Sequence, residues 1–150
     1  MTSLAALDAW FTGMPPVAAM QIRALHFDGQ VLRLRAPLSA NVNDKACAFG
    51  GSLASLMTLC GWGWLMLSLR EEGIEAEVYV ADSTIRYLAP LYDDLEGEAR
   101  LGQDQDWPAV LRCLAERRRA RVSMQASMRD ASGVAVATLE ARFALKQMPA

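Results

Sequence analysis

From position 48 to 69 the chain reads AFGGSLASLMTLCGWGWLMLSL, more than twenty residues without a single charge. No other stretch limits the fold so tightly. A run of about 20 apolar residues is long enough to cross the hydrocarbon core of a bilayer. It equally suits a helix buried on every side inside a protein, or a helix whose front end builds a functional site. Four glycines (Gly50, Gly51, Gly61, Gly63), three serines and Thr58 interrupt the run. Hydropathy is the only signal for a membrane span, and the chain that follows alternates like sheet strands in need of an apolar cover. A buried helix, with no membrane span, is therefore expected from about Ala48 to Arg70, with Gly73 as its stop.

The flanking segments supply the cover. Leu4, Leu7, Trp10 and Phe11 mark one face of a short N-terminal helix, capped by Thr2 or Ser3 and ended by Gly13 and Pro15-Pro16. Met20–Phe27 and Val31–Leu38 read as strands joined by a turn at Asp28-Gly29-Gln30. After the long helix, Ala76–Leu88 is a strand closed by Pro90. LEGEARL then puts Leu95, Gly97, Ala99 and Leu101 on one face and Glu96, Glu98 and Arg100 on the other. A second short helix spans Trp107–Arg118, with Asp106 as cap and Pro108 in its first turn. Two final strands follow, with Val122, Met124, Ala126 and Met128 facing inward on the first. Ala135, Ala137, Leu139, Ala141, Phe143 and Leu145 do so on the second, across a turn at 130–133. One apolar helix and a largely antiparallel sheet make an α+β fold in which the sheet wraps the helix.

At 150 residues, 53% hydrophobic, the chain suits one compact domain covering 1–150. A net charge of −2 offers no general field for nucleic acid or an anionic membrane. Of 15 basic residues only Lys45 and Lys146 are lysines. Arginine is the better fork for phosphates and carboxylates, yet a GC-rich genome produces the same bias. Cys47, Cys60 and Cys113 are odd in number and fit no paired spacing, as for reduced thiols in a cytoplasmic protein. The first sixteen residues, MTSLAALDAWFTGMPP, lack the basic start and long apolar core of a signal peptide. One histidine and three scattered cysteines match no ligand spacing, so neither a metal nor a cofactor is expected.

Three motifs, NDKACAFGGSLASLMTLCGWG (43–63), IRYLAPLYDDLEGEARL (85–101) and RARVSMQ (119–125), resemble the YiiD C-terminal thioesterase family of the hot-dog superfamily. The resemblance runs from roughly Val17 to Lys146, and the first motif is its specific part. It implies a hot-dog fold: an antiparallel sheet wrapped around one long central helix, here with a short N-terminal helix. It also implies a homodimer or dimer of dimers that hydrolyses an acyl-CoA or acyl-carrier thioester.

The chemistry of that reaction bears on the same place. An attacked thioester carbonyl becomes an oxyanion and needs donors aimed at it, and a helix start offers free N–H groups and partial positive charge. Gly50 and Gly51 sit at that start, after the polar Asn43 and Asp44. Glycine there admits a close substrate, although both glycines also suit mere helix–sheet packing. Many related thioesterases resemble one another in an Asn, a Gly three residues on, then His-Gly-Gly, with an acid nine residues after the His. Asn43 falls on the Asn; Ala46 replaces the first Gly, Phe49 the His, and Thr58 the acid. A threonine at its ordinary pKa is no substitute base.

Asp44 and Asp82 are the candidate replacements, each with a bland alternative. Asp44 suits a loop or helix cap, and Asp82 suits a pair with an Arg such as Arg86. By alternation Asp82 shares a face with Val78, Val80 and Thr84. Cys47 and Ser52 stand near the helix start as nucleophile candidates, but His26, the one histidine, belongs to the first strand. Ser52 is better placed as a substrate contact. Arg119 and Arg121 of the ERRRAR run (116–121), and Lys45, are candidate partners for coenzyme A phosphates, or simply a solvated helix end. Phe49, Met57, Trp62 and Tyr87 are candidate acyl-chain lining, or plain core. A competing class is a non-catalytic acyl-thioester binding module that has lost the usual His and acid.

Overall fold

A computed structural model describes residues 2–149, so the terminal residues of the expected 1–150 span lie outside it. Two short helices, α1 (Ser3–Thr12) and α2 (Pro15–Ala18), precede strands β1 (Arg23–Phe27) and β2 (Leu32–Ala36). After a single turn of 3-10 helix at Leu38–Ala40 comes the long helix α3 (Gly50–Glu71). Then follow β3 (Ala76–Tyr87), β4 (Leu95–Leu101), α4 (Trp107–Arg117), β5 (Arg119–Arg129) and β6 (Ala135–Gln147). The strands form one antiparallel sheet in the order β1-β2-β4-β5-β6-β3.

The sheet curls around α3. Its inner face carries the alternating apolar residues of β2, β4, β5 and β6, and these meet the buried side of α3. α3 is long and apolar enough to cross a membrane, but 61% of its most apolar stretch is buried inside the protein. It is a core helix. Three glycines let helix and sheet approach: a Cβ on Gly97 would lie 2.5 Å from Leu56 Cδ2, one on Gly61 3.0 Å from Phe143 Cε2, and one on Gly63 2.9 Å from Leu32 Cδ2. α1, capped by a 3.2 Å bond from Ala5 N to Thr2 Oγ1, closes the open side of α3. There Trp10 and Phe11 each pack against Trp62 with ring centroids 6.1 Å apart.

Three local expectations need correction. Pro15-Pro16 does not only end α1; it opens α2, because proline fits the first helical position, where no N–H is needed. α3 starts at Gly50 rather than Ala48, since Ala48 is drawn into a bridge with Val42 and donates its N–H to Leu91 O at 2.8 Å. The third concerns Asp82. β3 carries a bulge: Val80 pairs with Phe143, but the next paired residue, Asp82, pairs with Arg142. The extra residue inverts the facing of the strand. Val78 and Val80 follow the inner phase of β6, whereas Asp82, Thr84 and Arg86 follow its outer phase.

Candidate active site at the start of the central helix

The segment before α3 is a tied loop. Asn43 Oδ1 accepts from Lys45 N at 2.7 Å and from Cys47 N at 3.2 Å, while its Nδ2 donates to Cys47 Sγ at 3.2 Å. Its backbone N–H donates to Cys47 O at 2.8 Å. Ala46, inside this turn, has φ 66° in the left-handed region that favours glycine. The loop returns so that Phe49 N donates to Asn41 O at 2.8 Å, and Phe49 becomes the residue before the first turn of α3, with φ −65° and ψ 131°.

Asn41 holds this arrangement from behind and was not visible as a site residue. It is buried, and its Nδ2 donates to Met20 O at 3.0 Å and Pro37 O at 2.8 Å. Its only sequence signal is a second Asn two residues ahead of Asn43.

The first turn of α3 leaves donors unused. Ser52 N and Leu53 N donate to Phe49 O at 2.9 and 3.1 Å, but among the described residues nothing accepts from Gly50 N or Gly51 N. These two N–H groups lie at the positive end of a 22-residue helix. Two aromatic rings flank them. The Phe49 ring folds over Gly51, where a Cβ would be 2.4 Å from Phe49 Cε2. From the end of β3, Tyr87 lies against Gly50, 3.6 Å from where a Cβ would sit, and its hydroxyl donates to Gly50 O at 3.3 Å. Both rings are 55% exposed. A Cβ on Gly50 would make only ordinary contact with β3, and one on Gly51 would meet only Phe49, so the close helix–sheet approaches are those at Gly61, Gly63 and Gly97.

The remaining candidates scatter. Asp44 is solvent-exposed and pairs with Lys45 Nζ at 3.0 Å. Asp82 lies on the outer face of the sheet, gripped by Arg142 through both carboxylate oxygens. That guanidinium, and not Arg86, is its partner, and it holds the Asp82 carboxyl below the usual carboxylate range. Thr58 Oγ1 donates to Ala54 O at 2.8 Å within α3. Met57 is fully buried in the core and Trp62 packs under α1, so neither lies open at the helix start. Ser52 is buried beside Gly51. Arg119 and Arg121 project from the outer face at the far end of the sheet: Arg119 pairs with Lys146 and Lys146 with Glu77, whereas Tyr87 pairs with Ala137. At about 3.3 Å per residue, Glu77 and Tyr87 stand roughly 30 Å apart along β3. Among the described residues no group of His, Cys, Asp or Glu side chains is placed to hold a metal ion.

Two free amides at a helix start between exposed aromatic rings can bind a carbonyl oxygen and stabilise negative charge on it. Comparison with known proteins gives a family and a fold. Residues 4–147 match the family described as "Putative thioesterase (yiiD_Cterm)". The solved structure of a "putative thioesterase" from Shewanella oneidensis is 30% identical, with 98% of each chain covered and a TM-score of 0.86. A protein of unknown function from Chlorobaculum tepidum is 25% identical over 96% of this chain and 94% of its own, with a TM-score of 0.90. A thioesterase from Haemophilus influenzae, 15% identical over 98% and 92% of the two chains with a TM-score of 0.75, shares the fold.

Proposed function

Since the chain belongs to the YiiD C-terminal thioesterase family and has the hot-dog fold, we propose that it hydrolyses an acyl thioester, carried on coenzyme A or a carrier protein, at the N-terminus of α3. The observation that carries this reading is the pair of unclaimed N–H groups on Gly50 and Gly51. The thioester carbonyl oxygen sits on them, water attacks the carbonyl carbon, and the resulting oxyanion is held by both amides. Collapse of that intermediate expels the thiol and leaves the free acid. Phe49 and Tyr87 contact the acyl group or pantetheine arm. Asn43 acts through the loop it ties, not by touching substrate. We place water activation on Asp44 rather than Asp82, because an exposed pair with Lys45 is broken at little cost, whereas Arg142 occupies both oxygens of Asp82 and lowers its basicity, on the other face of the sheet.

The protein acts as a dimer, alone or doubled into a tetramer. β3 is a twelve-residue edge strand with Tyr79, Val80 and Tyr87 exposed, and such an edge is a template for another strand. Antiparallel pairing with a second β3 would set each Tyr87 opposite the beginning of its partner's strand. The basic end of the partner's sheet, with Arg119 and Arg121 on its outer face, then comes level with this chain's helix start, where coenzyme A phosphates reaching past the end of the sheet would meet it. Three free cysteines suit a cytoplasmic location.

A second reading is a binding module that holds an acyl thioester without cleaving it. Phe49 in place of histidine, and a Thr58 hydroxyl spent on Ala54 O, favour it. Turnover separates the two, and one substitution ties it to the helix amides. Gly50→Pro removes one amide donor at the helix position that tolerates proline, after a residue whose extended ψ of 131° already suits it. With thiol release measured on a panel of acyl-CoAs, kcat is expected to fall about 10²–10³-fold at an unchanged melting temperature. A wild-type protein that binds the panel but releases no thiol from any member is a binding module.

A further inference from the structure

Tyr87 has a feature that neither acyl lining nor edge pairing requires. Its hydroxyl donates to the carbonyl oxygen of Gly50, at 3.3 Å. The peptide unit that carries this oxygen also carries the N–H of Gly51, one of the two unclaimed donors. Hydrogen bonds in series polarise one another, so a donor at the oxygen of an amide strengthens the N–H at its other end. The Tyr87 ring meanwhile lies against the Gly50 Cα, close enough for ordinary contact with a Cβ placed there. One residue at the end of β3 thus bears on both the direction and the donor strength of an amide on α3.

We propose that Tyr87 is a positioning residue for the oxyanion site, acting on the Gly51 N–H through the Gly50 carbonyl. This rests on the thioesterase reading. Ser52 N and Leu53 N, whose acceptor is the Phe49 carbonyl, lie outside that peptide unit and are not tuned.

Tyr87→Phe keeps the ring and deletes the hydroxyl. On a thioester that the wild type cleaves, kcat should fall about three- to tenfold with KM unchanged, the scale of one modest hydrogen bond. In spectra of ¹⁵N-labelled protein, the Gly51 amide proton should move upfield while Leu53 stays in place. Tyr92→Phe, at an exposed tyrosine on the neighbouring loop, should leave both readouts at wild-type values. An unchanged kcat and Gly51 shift in Tyr87→Phe overturns the proposal while leaving the thioesterase standing. So does a loss of kcat that comes with a lowered melting temperature and an unmoved Gly51 signal, since that marks a structural role. A wild type that cleaves no thioester defeats the thioesterase reading and this role with it.

Discussion

At Ala46 the backbone takes φ 66°, a conformation in which an alanine Cβ crowds the following carbonyl at a cost of about 1–2 kcal/mol. The Asn43 side chain clamps the turn from both sides, bonding Lys45 N and Cys47 N. Replacing Ala46 with glycine relieves the strain and gives part of the gain back in unfolded-state entropy. A net stabilisation of about 1 kcal/mol is expected, read as a rise of about 2–4 °C in a thermal melt. The sequence showed Ala46 as a departure from the related Asn-x-x-Gly pattern, and the backbone supplies the reason for that glycine. What Asn43 does was not legible, because the same side chain serves equally to meet a substrate or to close a turn. The distinction lies in where residues 45 and 47 place their N–H groups. For Asp82 a pair with an arginine was legible but not which one: the partner depends on register with β6, and Arg142 lies sixty residues away in sequence.

Elements were easier to read than sites. Period-2 alternation gave the inner faces of β4, β5 and β6 correctly, because each has a polar side and an apolar side that cannot be exchanged. It failed at the β3 bulge, where the run Ala81-Asp82-Ser83 contains no large apolar side chain to declare a phase. The contact of α3 with β4 offers a test at this scale. Gly97 faces Leu56 and Met128, both fully buried, and a Cβ there would stand 2.5 and 2.9 Å from their side-chain ends. Gly97→Ala should therefore cost about 1–3 kcal/mol through overpacking, seen as a lower midpoint in urea with an unchanged slope. A neutral result would mean that helix and sheet slide apart more freely than their packing suggests.

For the whole molecule, α3 and the wrapping sheet followed from the apolar run and the strands around it, and that pairing left few other folds. The site was legible only as an address. The helix start and the aromatic candidates Phe49 and Tyr87 were visible, but the bonds by which Tyr87 and Asn41 reach it, from β3 and from the loop after β2, are contacts that spacing does not encode. The proposed edge pairing is tested by Val80→Lys, which puts a charge on the half-exposed centre of β3. Sedimentation should show the wild type at twice the chain mass or a multiple of it, and the variant at the mass of one chain with its turnover lost. A wild type that sediments as a single chain rules the pairing out. The burial of α3 carries one further consequence, set by time. Four of the six strands that enclose it follow it in the chain, and translation adds about 5–20 residues per second. For several seconds after α3 leaves the ribosome, most of its cover has yet to be made. During that interval it offers chaperones and membrane-targeting factors an apolar stretch of membrane-spanning length.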